Sequence, residues 1–310
     1  MNSELRRGVG YGFAAYALWG AFPLYFRALD ESGAFEILLH RIAWSLALLV
    51  LIVLVTRKRA ELAAVLRTPR LAGTLGFAAV AIAVNWGVYI FAVNSGQVVE
   101  AALGYFINPL VTVALGVVVL RERLRALQWA AVAIGVVAVV VLAVGYGRLP
   151  WIALTLACSF GLYGLTKKQV GGHVGALPGL TTETIVLAPF VLAALGWYEL
   201  TGRGTFTHDA PWQALLLISS GVVTVGPLLL FAASARRVAL TTIGLLQYLT
   251  PVLQLLCGVL LLGEHVPPAR WVGFGLVWLA LVVLTADSLR AARRTAREVP
   301  FEERELASVA

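Results

Sequence analysis

The sequence predicts an all-α membrane protein of ten transmembrane helices, arranged as two inverted five-helix repeats with both termini in the cytoplasm. Three observations predict it. Hydrophobic residues make up 60% of the 310 residues, charged residues only 13%, and mean hydropathy is +0.87. Soluble domains sit near 45–50% apolar and about 25% charged. Landmarks recur at one fixed interval along the chain. Asn108-Pro109 answers to Thr250-Pro251, Gly116 to Gly258, Glu122 to Glu264 and Trp129 to Trp271, all in the same register. Finally, basic residues cluster in alternate loops.

A spanning helix needs about 20 mostly apolar residues. Ten runs qualify: 8–28, 34–55, 71–93, 98–120, 126–145, 149–166, 177–199, 212–234, 239–262 and 269–289. They are continuous rather than alternating, which argues against a membrane β-barrel. The first follows Arg6-Arg7 and resembles a signal peptide in outline. Trp19, Phe22 and Tyr25 stand where a small-residue cleavage site would be needed, so a retained helix is expected.

Placing the N-terminus in the cytoplasm puts nineteen of the 24 Lys and Arg residues on that side. Arg27, Arg148, Arg203 and Arg270 fall outside, and Arg41 falls within a span. This bias sets orientation. Five spans per half is an odd number, so the second half enters from the opposite face. The expected units are repeat 1 over 8–145, repeat 2 over 149–289, and a charged cytoplasmic tail over 290–310. Such repeats place a binding site at their interface near the bilayer midplane.

Ionisable side chains are costly in lipid and need a partner or a wet cavity. The densest group is Glu36, His40 and Arg41 in the second span. Glu36 and His40 share a helical face. The group reads either as the polar wall of a cavity, with Arg41 on an anionic or polar substrate group, or as an internal ion pair. Asn108 precedes a mid-span proline that removes a backbone donor, so a kink is expected there and again at Pro251. Tyr105, Asn108, Gln247, Tyr248 and Gln254 are expected along a central cavity. Asn85, Trp86 and Trp19 are further candidates for substrate contact, Trp19 lying a turn from Tyr16. Glu183 aligns with Glu36 only at a shifted, longer interval, and with His40 and Glu36 it is a candidate proton carrier. Glu100 is expected to be solvated near the outer surface, and Glu122 and Glu264 to be interfacial cap or ion-pair residues.

Several classes are set aside. The basic residues form short clusters between apolar spans, not a continuous face for nucleic acid. Cys158 and Cys257 are isolated within spans, so no metal or redox site is expected. No zinc-protease motif, Walker loop or paired-Asp motif occurs, so no cofactor, metal or catalytic residue is expected.

The stretches Leu39-His40-Arg41-Ile42-Ala43-Trp44 and Leu103-Gly104-Tyr105-Phe106-Ile107-Asn108-Pro109, with Asn85-Trp86 and the segment from Gly161 to Lys168, resemble RarD-type transporters of the EamA group in the drug/metabolite transporter superfamily. The likeness covers roughly 8–289. Arg121-Glu122 departs from the group's usual Gly-Glu. The resemblance implies ten helices in two inverted repeats, the bacterial inner membrane, and export or exchange of small metabolites or drugs. The partners expected are a small-molecule substrate and the lipid bilayer, with a homodimer left open. A non-transporting scaffold or sensor and a lipid-modifying membrane enzyme are the alternatives.

Overall fold

The computed structural model describes residues 3–121, 123–170, 173–206, 211–238 and 240–298. Among them every regular element is helical: α1 (Ser3–Gly20), α2 (Phe22–Arg27), a 3-10 turn (Asp30–Ser32), α3 (Ala34–Val55), α4 (Arg59–Leu66), α5 (Pro69–Asn94), α6 (Val98–Leu120), α7 (Ala126–Tyr146), α8 (Trp151–Val170), α9 (Ala176–Leu200), α10 (Pro211–Ala235), α11 (Leu240–Leu246), α12 (Leu249–Leu256), a π-helical turn (Cys257–Leu261) and α13 (Pro268–Glu298). Eight segments are long and apolar enough to cross a membrane: those of α3, α5, α6, α7, α9, α10, α11–α12 with the π turn, and α13. The pair α1–α2 and helix α8 are not in that set. Helix α1 carries Glu4, Arg6 and Arg7, and α8 ends on Lys167 and Lys168.

Two predicted spans are broken. The first is interrupted at Ala21, after which Pro23 sits in the opening turn of α2, where its missing N–H costs nothing. The ninth is in three pieces, with a turn at Gln247-Tyr248 just before Pro251 and the π turn after α12. Proline lacks the N–H that would close the preceding turn. Helix α6 keeps Pro109 inside one unbroken helix. The expected symmetry of the two proline kinks is therefore not observed. Helix α13 also runs on to Glu298, so the expected tail from 290 begins as helix.

Four pairs of helix starts share the interval seen in the sequence landmarks. Ala34 of α3 answers to Ala176 of α9, Pro69 of α5 to Pro211 of α10, Val98 of α6 to Leu240 of α11, and Ala126 of α7 to Pro268 of α13. Glycine stands at the N-cap of both α3 and α9, at Gly33 and Gly175. Proline opens both α5 and α10. Counterparts run antiparallel where they meet. The Glu264 carboxylate, just past the π turn, accepts from the free amides of Val98 (2.6 Å) and Val99 (2.9 Å) at the start of α6. Arg125, before α7, holds Asp287 near the end of the apolar part of α13 through Nε at 2.8 Å. Leu142, late in α7, packs on Gly273, early in α13.

The C-terminal turns of the paired segments also share a backbone state. Gly263 has φ +69° and Arg121 has φ +55°, both left-handed, and the two are counterparts in the same register. Glycine adopts this conformation without penalty, whereas a side chain there costs about 1–2 kcal/mol. Arg121 thus occupies a position that its counterpart fills with glycine. Glu122, expected at the interface, lies outside the described residues.

Two apolar clusters fill the bundle. One joins Phe106, Leu110, Leu142, Phe274 and Val277 across α6, α7 and α13. The other joins Phe26, Ile37, Tyr89, Ile90, Leu156 and Leu217 at the centre, across α2, α3, α5, α8 and α10. Large apolar side chains also cover the outside, including Leu51, Val118, Val144, Leu192, Leu215 and Leu260. Large exposed apolar patches mark contact with another apolar phase. With eight spanning-length apolar helices, that phase is the bilayer, and the chain is a multi-pass membrane protein.

Candidate functional site

Arg41 lies in the second turn of α3 and is 3% exposed. Its approach to α10 depends on Gly221, where a Cβ would fall 2.6 Å from the Trp44 backbone. Only hydrogen lets the two helices come so close. One turn along, Arg41 Nε donates to Thr224 Oγ1 at 2.9 Å. The guanidinium carbon lies 4.2 Å from the centroid of the Trp86 ring, with Phe26 at 5.3 Å and Phe22 at 5.5 Å. Among the described residues no carboxylate comes within ion-pair distance of it. A charge within a span is costly, with roughly 2.5–3.5 kcal/mol on insertion scales as the value reached at a helix centre. A desolvated cation–π contact returns about 2 kcal/mol. The aromatic cage offsets much of that cost and leaves the charge itself unneutralised.

Around this charge lies a neutral polar network. Tyr105 donates to Asn85 Oδ1 at 3.1 Å, and Asn85 Nδ2 donates to the Leu156 carbonyl (3.0 Å) and Ser159 Oγ (3.1 Å). Tyr25 donates to the Leu216 carbonyl at 2.6 Å. Tyr89, ring to ring with Phe26 and Tyr105, is buried and its hydroxyl has no hydrogen-bond partner. Helices α2, α3, α5, α6, α8 and α10 thus converge here. Asn85, Trp86, Tyr105 and Arg41, expected in three separate groups, are brought together here. Thr224, Tyr25, Tyr89 and Ser159 were missed. Hydroxyls inside apolar runs carry no signal of their own, since many simply bond a carbonyl in their own helix.

Glu36 and His40 belong to a separate cluster. Glu36 accepts from the Thr205 amide at 2.7 Å and from the Thr205 hydroxyl at 3.2 Å, in the segment after α9. Ser32 Oγ stands 2.8 Å from Thr205 Oγ1 and accepts from Gln213 Nε2. His40 stacks on Phe206 at 4.8 Å and accepts from Trp44 Nε1 through Nδ1 at 3.3 Å. That bond assigns the imidazole proton to Nε2, which stands 3.9 Å from Glu36 and has no hydrogen-bond partner. The expected triad is therefore divided, because one residue of further rotation turns Arg41 into the bundle.

Glu183 is fully buried at the start of α9. Lys167 Nζ donates to it at 2.6 Å and Tyr163 at 3.3 Å. The common helix starts put Glu183 level with Arg41 of the first half, and not with Glu36. The shifted alignment of Glu36 with Glu183 is corrected by the N-caps Gly33 and Gly175.

The remaining expected residues are scattered. Trp19 lies edge-on to Tyr16 at 5.4 Å and beside Phe231, and its carbonyl accepts from Gln254. Asn108 faces α8 near Gly161, with Oδ1 buried and unpartnered. Tyr248 packs against the cluster around α13, and Gln247 occupies the turn before it. Glu100 departs from expectation. It is 2% exposed, paired with Arg148 at 2.8 Å, and accepts from the Ile152 amide at the start of α8. A helix N-terminus and an arginine supply what water was expected to supply. Among the described residues no group of His, Cys, Asp and Glu could hold a metal.

The apolar helices and the polar cluster buried among them define a class, the polytopic membrane proteins. Comparison with known proteins narrows it. The EamA-like transporter family matches residues 6–144 and 149–286, and the chain belongs to that family. Protein RarD of Streptomyces exfoliatus is 52% identical over 95% of this chain and 93% of its own length. An uncharacterised transporter of Pseudomonas aeruginosa is 42% identical over 94% and 98% respectively. Protein RarD of Escherichia coli K12 is 39% identical over 95% and 99%. One solved crystal structure superposes with a TM-score of 0.57 at 19% identity, over 92% of this chain and 98% of that one. That likeness concerns the fold alone.

Proposed function

We propose that the chain is a secondary-active transporter that moves small metabolites or drugs across the bacterial inner membrane by alternating access, as an exporter or exchanger. Ten spans, with α1–α2 and α8 joining the eight apolar segments, form two inverted repeats over 8–145 and 149–289 with both termini cytoplasmic. The common interval of the helix starts and the antiparallel meeting of counterparts support this arrangement, as does the Lys/Arg bias. Arg41 carries the reading. It is a buried charge without a counter-ion among the described residues, held between helices of both halves. Asn85 and Tyr105 belong to the same site; Asn108, Trp19, Gln247 and Tyr248 stand apart from it and are candidates for contact elsewhere along the path.

Of the three candidate proton carriers, Glu183 fits best. Its main partner is a lysine side chain that is 30% exposed, so protonation can release it. Glu36 is bound to loop backbone, and His40 is held neutral by Trp44. The test is flux in proteoliposomes across a metabolite and drug panel, comparing the parent with Arg41→Ala and Glu36→Gln. Wild-type flux in Arg41→Ala would remove Arg41 from the mechanism.

A further inference from the structure

The geometry points to a carboxylate-binding subsite formed by Arg41 and Tyr89, taking an organic acid whose body is aromatic. This deepens the transporter reading and rests on Arg41 being the charge that meets substrate. Thr224 occupies Nε, so the side edge of the guanidinium is taken. The end edge, with its two parallel Nη–H donors, has no protein acceptor among the described residues. That fork matches the two oxygens of a carboxylate. The buried Tyr89 hydroxyl is a further donor with no partner, and the Tyr89 ring packs edge-on against Phe26, the same ring that faces the guanidinium. A buried polar group left unpaired is rare and needs an occupant or a role. Among the described residues no carboxylate competes for these donors in the cluster. Trp86, Phe22 and Phe26 surround the guanidinium, so a group that reaches it lies among aromatic rings, with which an aromatic body is compatible.

The roles are separable. Arg41 supplies charge and orientation, and Tyr89 adds one neutral hydrogen bond that selects an oxyanion over an uncharged group. An amine is repelled, and an amide presents one acceptor where the site offers three donors.

The test is calorimetric titration of the purified full chain in nanodiscs with benzoate, benzamide and benzylamine, and with sodium chloride as inorganic control. Benzoate should bind saturably and benzamide at least ~10-fold more weakly, as expected when a charge-assisted bidentate contact is lost. Benzylamine should not bind. Arg41→Gln should abolish benzoate binding. Arg41→Lys, which keeps the charge but not the fork, should weaken it about tenfold. Tyr89→Phe should weaken benzoate several-fold and leave benzamide little changed. Size-exclusion profiles check that each variant is folded, and the two conservative variants carry the test should Arg41→Gln fail to fold. Equal affinity for benzoate and benzamide, or unchanged binding in Arg41→Lys and Tyr89→Phe, would overturn the inference. Saturable chloride binding without benzoate binding would overturn it in favour of an inorganic anion. Arg41-dependent flux of an uncharged compound without benzoate binding sinks the carboxylate subsite and leaves the transporter standing. Benzoate binding with no flux of any compound does the reverse.

Discussion

Arg41 and Glu183 occupy the same position in the two halves, equally far beyond a glycine N-cap, yet their charges meet opposite fates. Glu183 is neutralised at 2.6 Å by Lys167, whose stem reaches in from a part-exposed position at the end of α8. Arg41 is surrounded by rings and hydroxyls and meets no carboxylate among the described residues. The difference is one of neighbours. The helix whose side chains reach Glu183 carries Lys167 and Lys168 in its last turn, whereas the segment beside Arg41 is the short, aromatic α2. One half holds a charge already compensated by a side chain that can leave. The other holds a charge that no carboxylate among the described residues compensates.

The largest expected effect breaks this contrast at Arg41. Arg41→Ala should lower substrate flux in proteoliposomes by about a hundredfold or more, in line with roughly 2–5 kcal/mol for truncating a buried charge partner. Glu183→Gln should act differently, leaving substrate binding near the parent value while flux loses its response to an imposed pH gradient. An unchanged response would show that Glu183 is a structural ion-pair residue only. Glu264→Gln probes the join between the halves. The carboxylate accepts two amides at the start of α6, and losing its charge should cost about 1–3 kcal/mol of stability, read as a lower thermal unfolding midpoint in detergent. The smallest effect sharpens the comparison of the two helix ends. Arg121→Gly should stabilise by about 1 kcal/mol, and Gly263→Arg should destabilise by a similar amount, measured the same way.

Much of the fold was legible because lipid imposes a coarse code. Spans must be apolar for about 20 residues, so their places follow from composition. Register was legible where backbone-determining residues recur, as Pro69 and Pro211 do at helix starts. It failed where side-chain identity was trusted instead. Glu36 and Glu183 look alike, but the helix starts pair Glu183 with Arg41. The two prolines also misled. Pro109 sits in an intact helix and Pro251 follows a break, because a missing donor weakens a helix without dictating whether packing will hold it together.

By itself the sequence determined a multi-pass helical membrane protein of the EamA-like family, with a duplicated landmark pattern and a group of ionisable residues, Glu36, His40 and Arg41, within one span. Tertiary structure decided what the Arg41 charge meets. Which of Glu36, His40, Thr224 or Tyr89 lies beside Arg41 depends on helix rotation and on the close approach at Gly221, and neither is encoded within a single span. Hydropathy fixes which residues leave water. The partners of the few polar ones are set by how six helices pack around one point.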